Sequence, residues 1–244
     1  AMATMAHRTV WGWQTFLNFF GSYGGRYFDE NENPALNEPG AVKALEKFIE
    51  VNQYAPPGWV DYGYSEVRRD WTKGTVAMII QFPCNGPAAA DPKESVIVGK
   101  WNVAVMPGVK QADGSIKRTA CWACGKSHSI AKTSKNKDEA WLYLMNFDSP
   151  EQQRESTLKI TGVDPARISV FESPEVKAAG EAWKHYPVML EEHLKYGFED
   201  ILIPHAYELA DSGYSEIHAA LAGQRTPKQA LDAANAVWKK VLGK

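Results

Sequence analysis

The residues best able to do chemistry sit in a few short passages. Ala120-Cys121-Trp122-Ala123-Cys124-Gly125-Lys126-Ser127 ends in Gly-Lys-Ser and has the length of a phosphate-binding loop. Such a loop needs small residues so that backbone amides can approach the phosphates, and it must open a helix whose N-terminus takes the charge. Here Trp122 and two cysteines fill it and Ser127 to Ala131 reads as extended chain, so nucleotide triphosphate chemistry is not expected. Cys121-x-x-Cys124 has the spacing of a redox pair or of half a zinc site, but a lone pair is a weak signal and no second Cys or Cys/His pair at zinc-finger spacing accompanies it. Buried thiols, or one bridge to Cys84, are the expectation, with no metal and no cofactor. His185 and His193 lie near Glu191 and Glu192 without the order of a zinc protease and read as a solvated helix face. No G-x-S-x-G elbow occurs, and nothing local singles out two carboxylates for glycoside hydrolysis.

What remains is aromatic. The chain has 9 tryptophans, and Trp11, Trp13, Trp59 and Trp122 fall at element ends or in loops. Rigid rings with one polar edge suit stacking on a flat ligand face while neighbouring amides and hydroxyls bond its rim. Trp71, Trp101, Trp141, Trp183 and Trp238 sit inside helix or strand patterns and are expected to pack only.

The elements that must position these rings are readable from caps and periodicity. Trp13, Phe16, Leu17 and Phe20 fall at helical spacing before Gly21 and the Gly24-Gly25 pair, which predicts a short aromatic helix. Asn37 to Gly40 opens a helix with Val42, Leu45, Phe48 and Ile49 on one side, closing near Tyr54 before Pro56-Pro57-Gly58. Ser65 reads as the cap of a helix ending at Gly74. Thr75 to Ile80 is a continuous apolar run that predicts a buried, parallel strand, Lys100 to Met106 a second strand, and Asp113-Gly114 a turn within 109–117. From Ser134 the chain reads as helix. Asn136 or Ser134 caps a stripe of Ala140, Trp141, Leu144 and Phe147; Ser149-Pro150, Ser173-Pro174 (through about Trp183) and Thr226-Pro227 each open a helix; and Pro204 to Ala222 presents Tyr207, Ala210, Tyr214 and Ile217 on one face. Strands early and helices throughout indicate an α/β class.

Composition narrows the partners. With 44% of 244 residues hydrophobic, the chain can bury a sizeable core. Its 27 basic and 29 acidic residues leave a formal charge of −2, which offers no field for nucleic acid or an anionic membrane. No run of about 18 apolar residues is present, so no membrane-spanning helix is expected, and the first residues carry no secretory signal pattern.

The order of motifs resembles one family, the family 1 extracellular solute-binding proteins of bacterial ABC importers, the maltose-binding-protein-like group. The likeness rests on Ser22-Tyr23-Gly24-Gly25-Arg26-Tyr27-Phe28-Asp29 with Asn33 to Asn37, on Lys73-Gly74-Thr75-Val76-Ala77-Met78, and on Val103-Ala104-Val105-Met106-Pro107-Gly108. It continues through Ile130 to Trp141, the most specific passage, then Ser149 to Gln153, Asp164 to Arg167 and Gly223 to Leu231. The resemblance implies a type II periplasmic-binding-protein fold: 9–117 and 167–244 as the second lobe, 118–166 as an excursion belonging to the first lobe, and most of the first lobe outside this chain. It implies a hinged clamp that captures a carbohydrate or polyol and delivers it to ABC permease subunits in the periplasm or outside the cell, with no bond made or broken.

Carried over by position, Trp11, Trp13 and Gln14 fall where the family presents sugar contacts. Gln81 to Asn85 falls where an aromatic commonly stacks, and here Cys84 stands in that place, which leaves Gln81 and Asn85 to bond hydroxyls. The tryptophan frequent before the next strand is replaced by Lys126, with Trp122 or Lys126 as substitutes, and Tyr207 lies near a further contact. A lysine there would admit an anionic ligand. The rival readings are a glycan-active hydrolase and an interaction module that has kept the fold without the ligand.

Overall fold

A computed structural model describes residues 1–119, 121–123, 127–159 and 164–244; of Cys121–Ala123, Glu181 and His193 it describes the backbone alone. In chain order the regular elements are β1 (Met2–Thr4), α1 (Val10–Phe20), α2 (Pro39–Val51), α3 (Tyr64–Thr72), β2 (Met78–Ile80), α4 (Gly86–Ala90), β3 (Val109–Lys110), β4 (Ile116–Lys117) and β5 (Cys121–Ala123). There follow α5 (Lys137–Phe147), α6 (Pro150–Lys159), α7 (Ile168–Phe171), α8 (Pro174–Ala178), α9 (Tyr186–Tyr196), β6 (Gly197–Glu199), α10 (Ala206–Leu221) and α11 (Pro227–Val241). The chain divides into two compact units, Ala1–Gln81 with Ala104–Ala123 and Leu190–Lys244, and Phe82–Val103 with Cys124–Met189. The second unit therefore takes 82–103 as well as most of the expected excursion, and it runs on to Met189. The ties are local. A Cβ on Gly86 would lie 2.5 Å from His185 Nδ1, and the Trp101 carbonyl accepts a hydrogen bond from Lys184 Nζ.

The larger unit owes its core to α1, α2, α10 and α11. Trp13, Phe16, Phe20, Leu36, Phe48, Leu209, Ile217, Leu231 and Trp238 are all fully or almost fully buried there. Two buried side chains lock the helices. Asn235 Oδ1 accepts from the Leu36 amide at 3.0 Å, and Trp238 Nε1 donates to the Leu209 carbonyl at 2.8 Å. Thr226 and Gln229 form the reciprocal capping box that starts α11. β1 and β2 pair in parallel, Met2 opposite Met78, and β3–β4 is the hairpin turned at Asp113-Gly114, where Gly114 has φ 86°. β5 pairs in parallel with β6.

Several expectations are corrected. The run ending at Ile80 is parallel but not buried, with Met78 largely exposed; apolar composition alone did not supply a second layer over it. Lys100 to Met106 joins no strand among the described residues. The third helix is capped by Gly63, whose amide donates to Glu66 Oε2, so Ser65 lies in its first turn. Gly180, at φ 65°, breaks the helix begun at Ser173 after Ala178. His185 is not on a solvated face but 1% exposed, with Asp164 Oδ1 3.6 Å from its Nε2. The α5 stripe forms as helix but has no buried residue, and Trp141 is exposed.

Candidate functional site

Helix α1 carries the expected contacts, and its two faces differ. Thr9 caps it, accepting from the Trp11 amide. Trp13, Phe16, Leu17 and Phe20 form the core side, while Trp11, Gln14 and Asn18, spaced by three and four residues, share the other. Gln14 is 5% exposed and among the described residues its Oε1 has no hydrogen-bond partner, an acceptor whose isolation costs about 1–3 kcal/mol unless a donor reaches it. Trp11 is half-buried, its ring 6.3 Å from that of Tyr64 at 40°. Gln81 Nε2 donates to the Tyr64 carbonyl at 3.3 Å. Trp11 and Gln81 are thus gathered around Tyr64, a residue the sequence reading missed. The signal was present in the aromatic after Gly63, masked by assigning the cap to Ser65.

Trp13 is a correction. It is 0% exposed, lies stacked on Tyr27 at 6.2 Å and tilted against Tyr214 at 6.0 Å, and has no ring face left for a ligand. Its polar edge is used inside the protein, Nε1 donating to Asp200 Oδ1 over a long 3.4 Å. Burial, reinforced by the charge of Asp200, pushes the Tyr27 hydroxyl far above its ordinary pKa and that of Tyr214 up to about 12. Both therefore stay protonated at neutral pH, and Tyr27 donates to the Glu199 carbonyl at 3.2 Å. Tyr207, one residue into α10, is 83% exposed and lies within electrostatic reach of Tyr214. Asp200, Tyr27 and Tyr214 were not singled out as site residues, because Tyr214 read as a member of an apolar face.

In the smaller unit, Asn85 is 2% exposed. Its Nδ2 donates to the Phe82 carbonyl at 2.9 Å, and its Oδ1 has no partner among the described residues. Lys126, like Cys124, lies outside the described residues, and so does the Trp122 side chain, whose backbone pairs with Phe198. The expected bridge from Cys84 to Cys121 or Cys124 falls outside them as well. Among the described residues no group of three His, Cys, Asp or Glu could hold a metal ion, and no helix is long and apolar enough to cross a membrane.

The fold is that of the two-lobed solute-binding proteins. Maltose-bound MalE3 of T. maritima matches with a TM-score of 0.80 at 24% identity, over 98% of this chain and 60% of that one. A ribitol complex of an ABC transporter solute-binding protein from Agrobacterium radiobacter K84 gives the same score and identity, over 99% and 59%. Residues 3–154 match the family described as bacterial extracellular solute-binding protein, and the chain belongs to that family. Among curated relatives, the probable amino-acid ABC transporter periplasmic-binding protein y4oP of Sinorhizobium fredii is 28% identical over 218 residues, 88% of this chain and 47% of its own length. The erythritol/L-threitol-binding protein of Mycolicibacterium smegmatis is 29% identical over 152 residues, 60% of this chain and 30% of its own. The chain thus spans less than half the length of the curated relatives it matches.

Proposed function

We propose that this chain serves as a substrate-binding component of an ABC importer that captures a carbohydrate or polyol without chemical change. The observation that carries the reading is Gln14. Its Oε1, buried and without a partner among the described residues, shares one face of α1 with the partly open Trp11 ring; Tyr64 lies beside that ring, and its carbonyl accepts from Gln81. A ring face for C–H groups beside an acceptor for hydroxyls is what a polyhydroxylated ligand requires. Relatives with bound ribitol and D-mannitol support the class. In this reading Trp11, Gln14, Gln81 and Tyr207 all belong to the larger unit. The partners are ABC permease subunits, and the site of action is the periplasm or the cell exterior.

The test is the thermal unfolding midpoint of the chain against sugars, polyols, sugar acids and amino acids. A ligand at 100 times its Kd adds about 2.7 kcal/mol, a rise of roughly 5–10 °C for a domain near this size. Trp11→Ala should remove most of the shift, whereas a shift given only by amino acids, or by no compound, refutes the proposal.

A further inference from the structure

The smaller unit holds a helix whose apolar side chains remain in water. In α5, Trp141, Leu142, Tyr143, Met145 and Phe147 are each between 43% and 68% exposed, and no residue of the helix is buried. Helix α6, which follows it, buries Thr157 alone. The unit does have a core of its own, built on Val170, Val176, Trp183, Tyr186 and Met189, but that core encloses no residue of α5.

The pattern of the run says what kind of cover it fits. Trp141-Leu142-Tyr143-Leu144-Met145 is apolar at every position and longer than one turn of about 3.6 residues, so its side chains point to all sides of the helix. A helix apolar all round belongs in an interior. A second copy related by a two-fold axis offers the same patch in return and covers one face, leaving the opposite face in water. What encloses α5 must wrap it. The fold itself contains chain of that extent: 98% of this chain superposes on 60% of MalE3, and 99% on 59% of the ribitol-bound protein, so about two fifths of each structure has no counterpart here. The larger unit already closes a core around α1, so the face that lacks cover is the one on α5.

We propose that α5 is a docking helix for a polypeptide segment carrying the part of the solute-binding fold that this chain does not span, and that this segment closes over Trp141, Leu142, Tyr143, Met145 and Phe147 from more than one side. Helix α5 belongs to the smaller unit and Trp11, Gln14 and Gln81 to the larger, so this inference and the polyol reading stand or fall separately.

The probe is the part of the Sinorhizobium fredii protein y4oP outside its 218 matched residues, made as a separate polypeptide. Amide hydrogen exchange of the intact chain is followed with and without it, together with binding of anilinonaphthalene sulfonate. Alone, the chain should bind the dye and exchange the amides of 141–147 quickly. The probe should slow that exchange about 10-fold or more and remove about half of the dye binding or more. Leu142→Glu should weaken capture of the probe about 10-fold or more, because it places an unpaired charge in the covered face. Tyr143→Ser should act in the same direction and decides if Leu142→Glu does not unfold cooperatively. Ile116→Thr, at a similarly exposed apolar position in the larger unit, should leave capture unchanged. No capture of the probe, capture that leaves 141–147 exchanging as before, or capture that survives both α5 substitutions overturns the proposal. So does slow exchange of α5 in the chain alone, or a tight dimer in sedimentation that protects α5 and that the probe does not displace.

Discussion

Helices α1 and α5 have the same length, 11 residues, and both carry large apolar side chains, yet they end in opposite environments. In α1, Val-Trp-Gly-Trp-Gln-Thr-Phe-Leu-Asn-Phe-Phe buries eight residues, with Trp13 held by Tyr27 and Tyr214 and backed by Gly213. In α5, Lys-Asp-Glu-Ala-Trp-Leu-Tyr-Leu-Met-Asn-Phe buries none, and Trp141, Leu142, Tyr143, Met145 and Phe147 are exposed. Among its ring contacts, Tyr143 stacks on Phe147 at 5.8 Å and Phe147 meets His128 edge-on at 5.0 Å. An apolar stripe states that a helix wants a partner; only long-range contacts supply one.

The comparison can be broken by substitution. Trp13→Ala should cost about 3–5 kcal/mol, the range for deleting a fully enclosed tryptophan, read as a lower urea midpoint with an unchanged slope. Asn235→Ala strands the Leu36 amide and should cost about 1–3 kcal/mol in the same measurement. Leu142→Glu on α5 should shift the midpoint by no more than about 0.5 kcal/mol. It should, however, reduce binding of a hydrophobic dye and concentration-dependent association in sedimentation, since it interrupts an exposed apolar patch. A loss as large as that of Trp13→Ala would mean that α5 has a covered face.

The smallest effect is a titration. Tyr214 should ionise near about 12 in ultraviolet absorbance, against about 10 for a free tyrosine. Its folded pKa is raised, so its contribution to stability is complete below pH of about 10 and is lost between there and about 12. Asp200→Asn should lower that value, because the Asp200 charge adds to the effect of burial.

Local grammar was legible, and enclosure was not. The Thr226–Gln229 capping box, the proline-led starts of α6, α8 and α11 and the Asp113-Gly114 hairpin follow from hydrogen bonds within a few residues, so the residues themselves announce them. Whether Trp13 or Trp141 is enclosed depends on partners far along the chain; Asp200 and Tyr214 enclose the first, while the second stays exposed. Gln14 shows the same limit within the candidate site. Its place on α1 was readable from spacing, but its unpartnered oxygen was not, because that depends on what every other segment fails to donate. Asp200 was overlooked for a related reason: nothing in Glu199-Asp200-Ile201 signals that an indole 187 positions earlier will point at it.

That separation of 187 positions also sets a timetable. At about 5–20 residues per second a ribosome needs roughly 10–40 s between Trp13 and Asp200, and α10 and α11, which complete the core around α1, emerge later still. Throughout that interval the nascent chain has Tyr27 to stack on Trp13 and Phe20 but lacks Asp200, Tyr214 and Phe198. The larger core therefore closes around α1 only after 206–241 have left the ribosome, its covering helices being made long after the helix they cover.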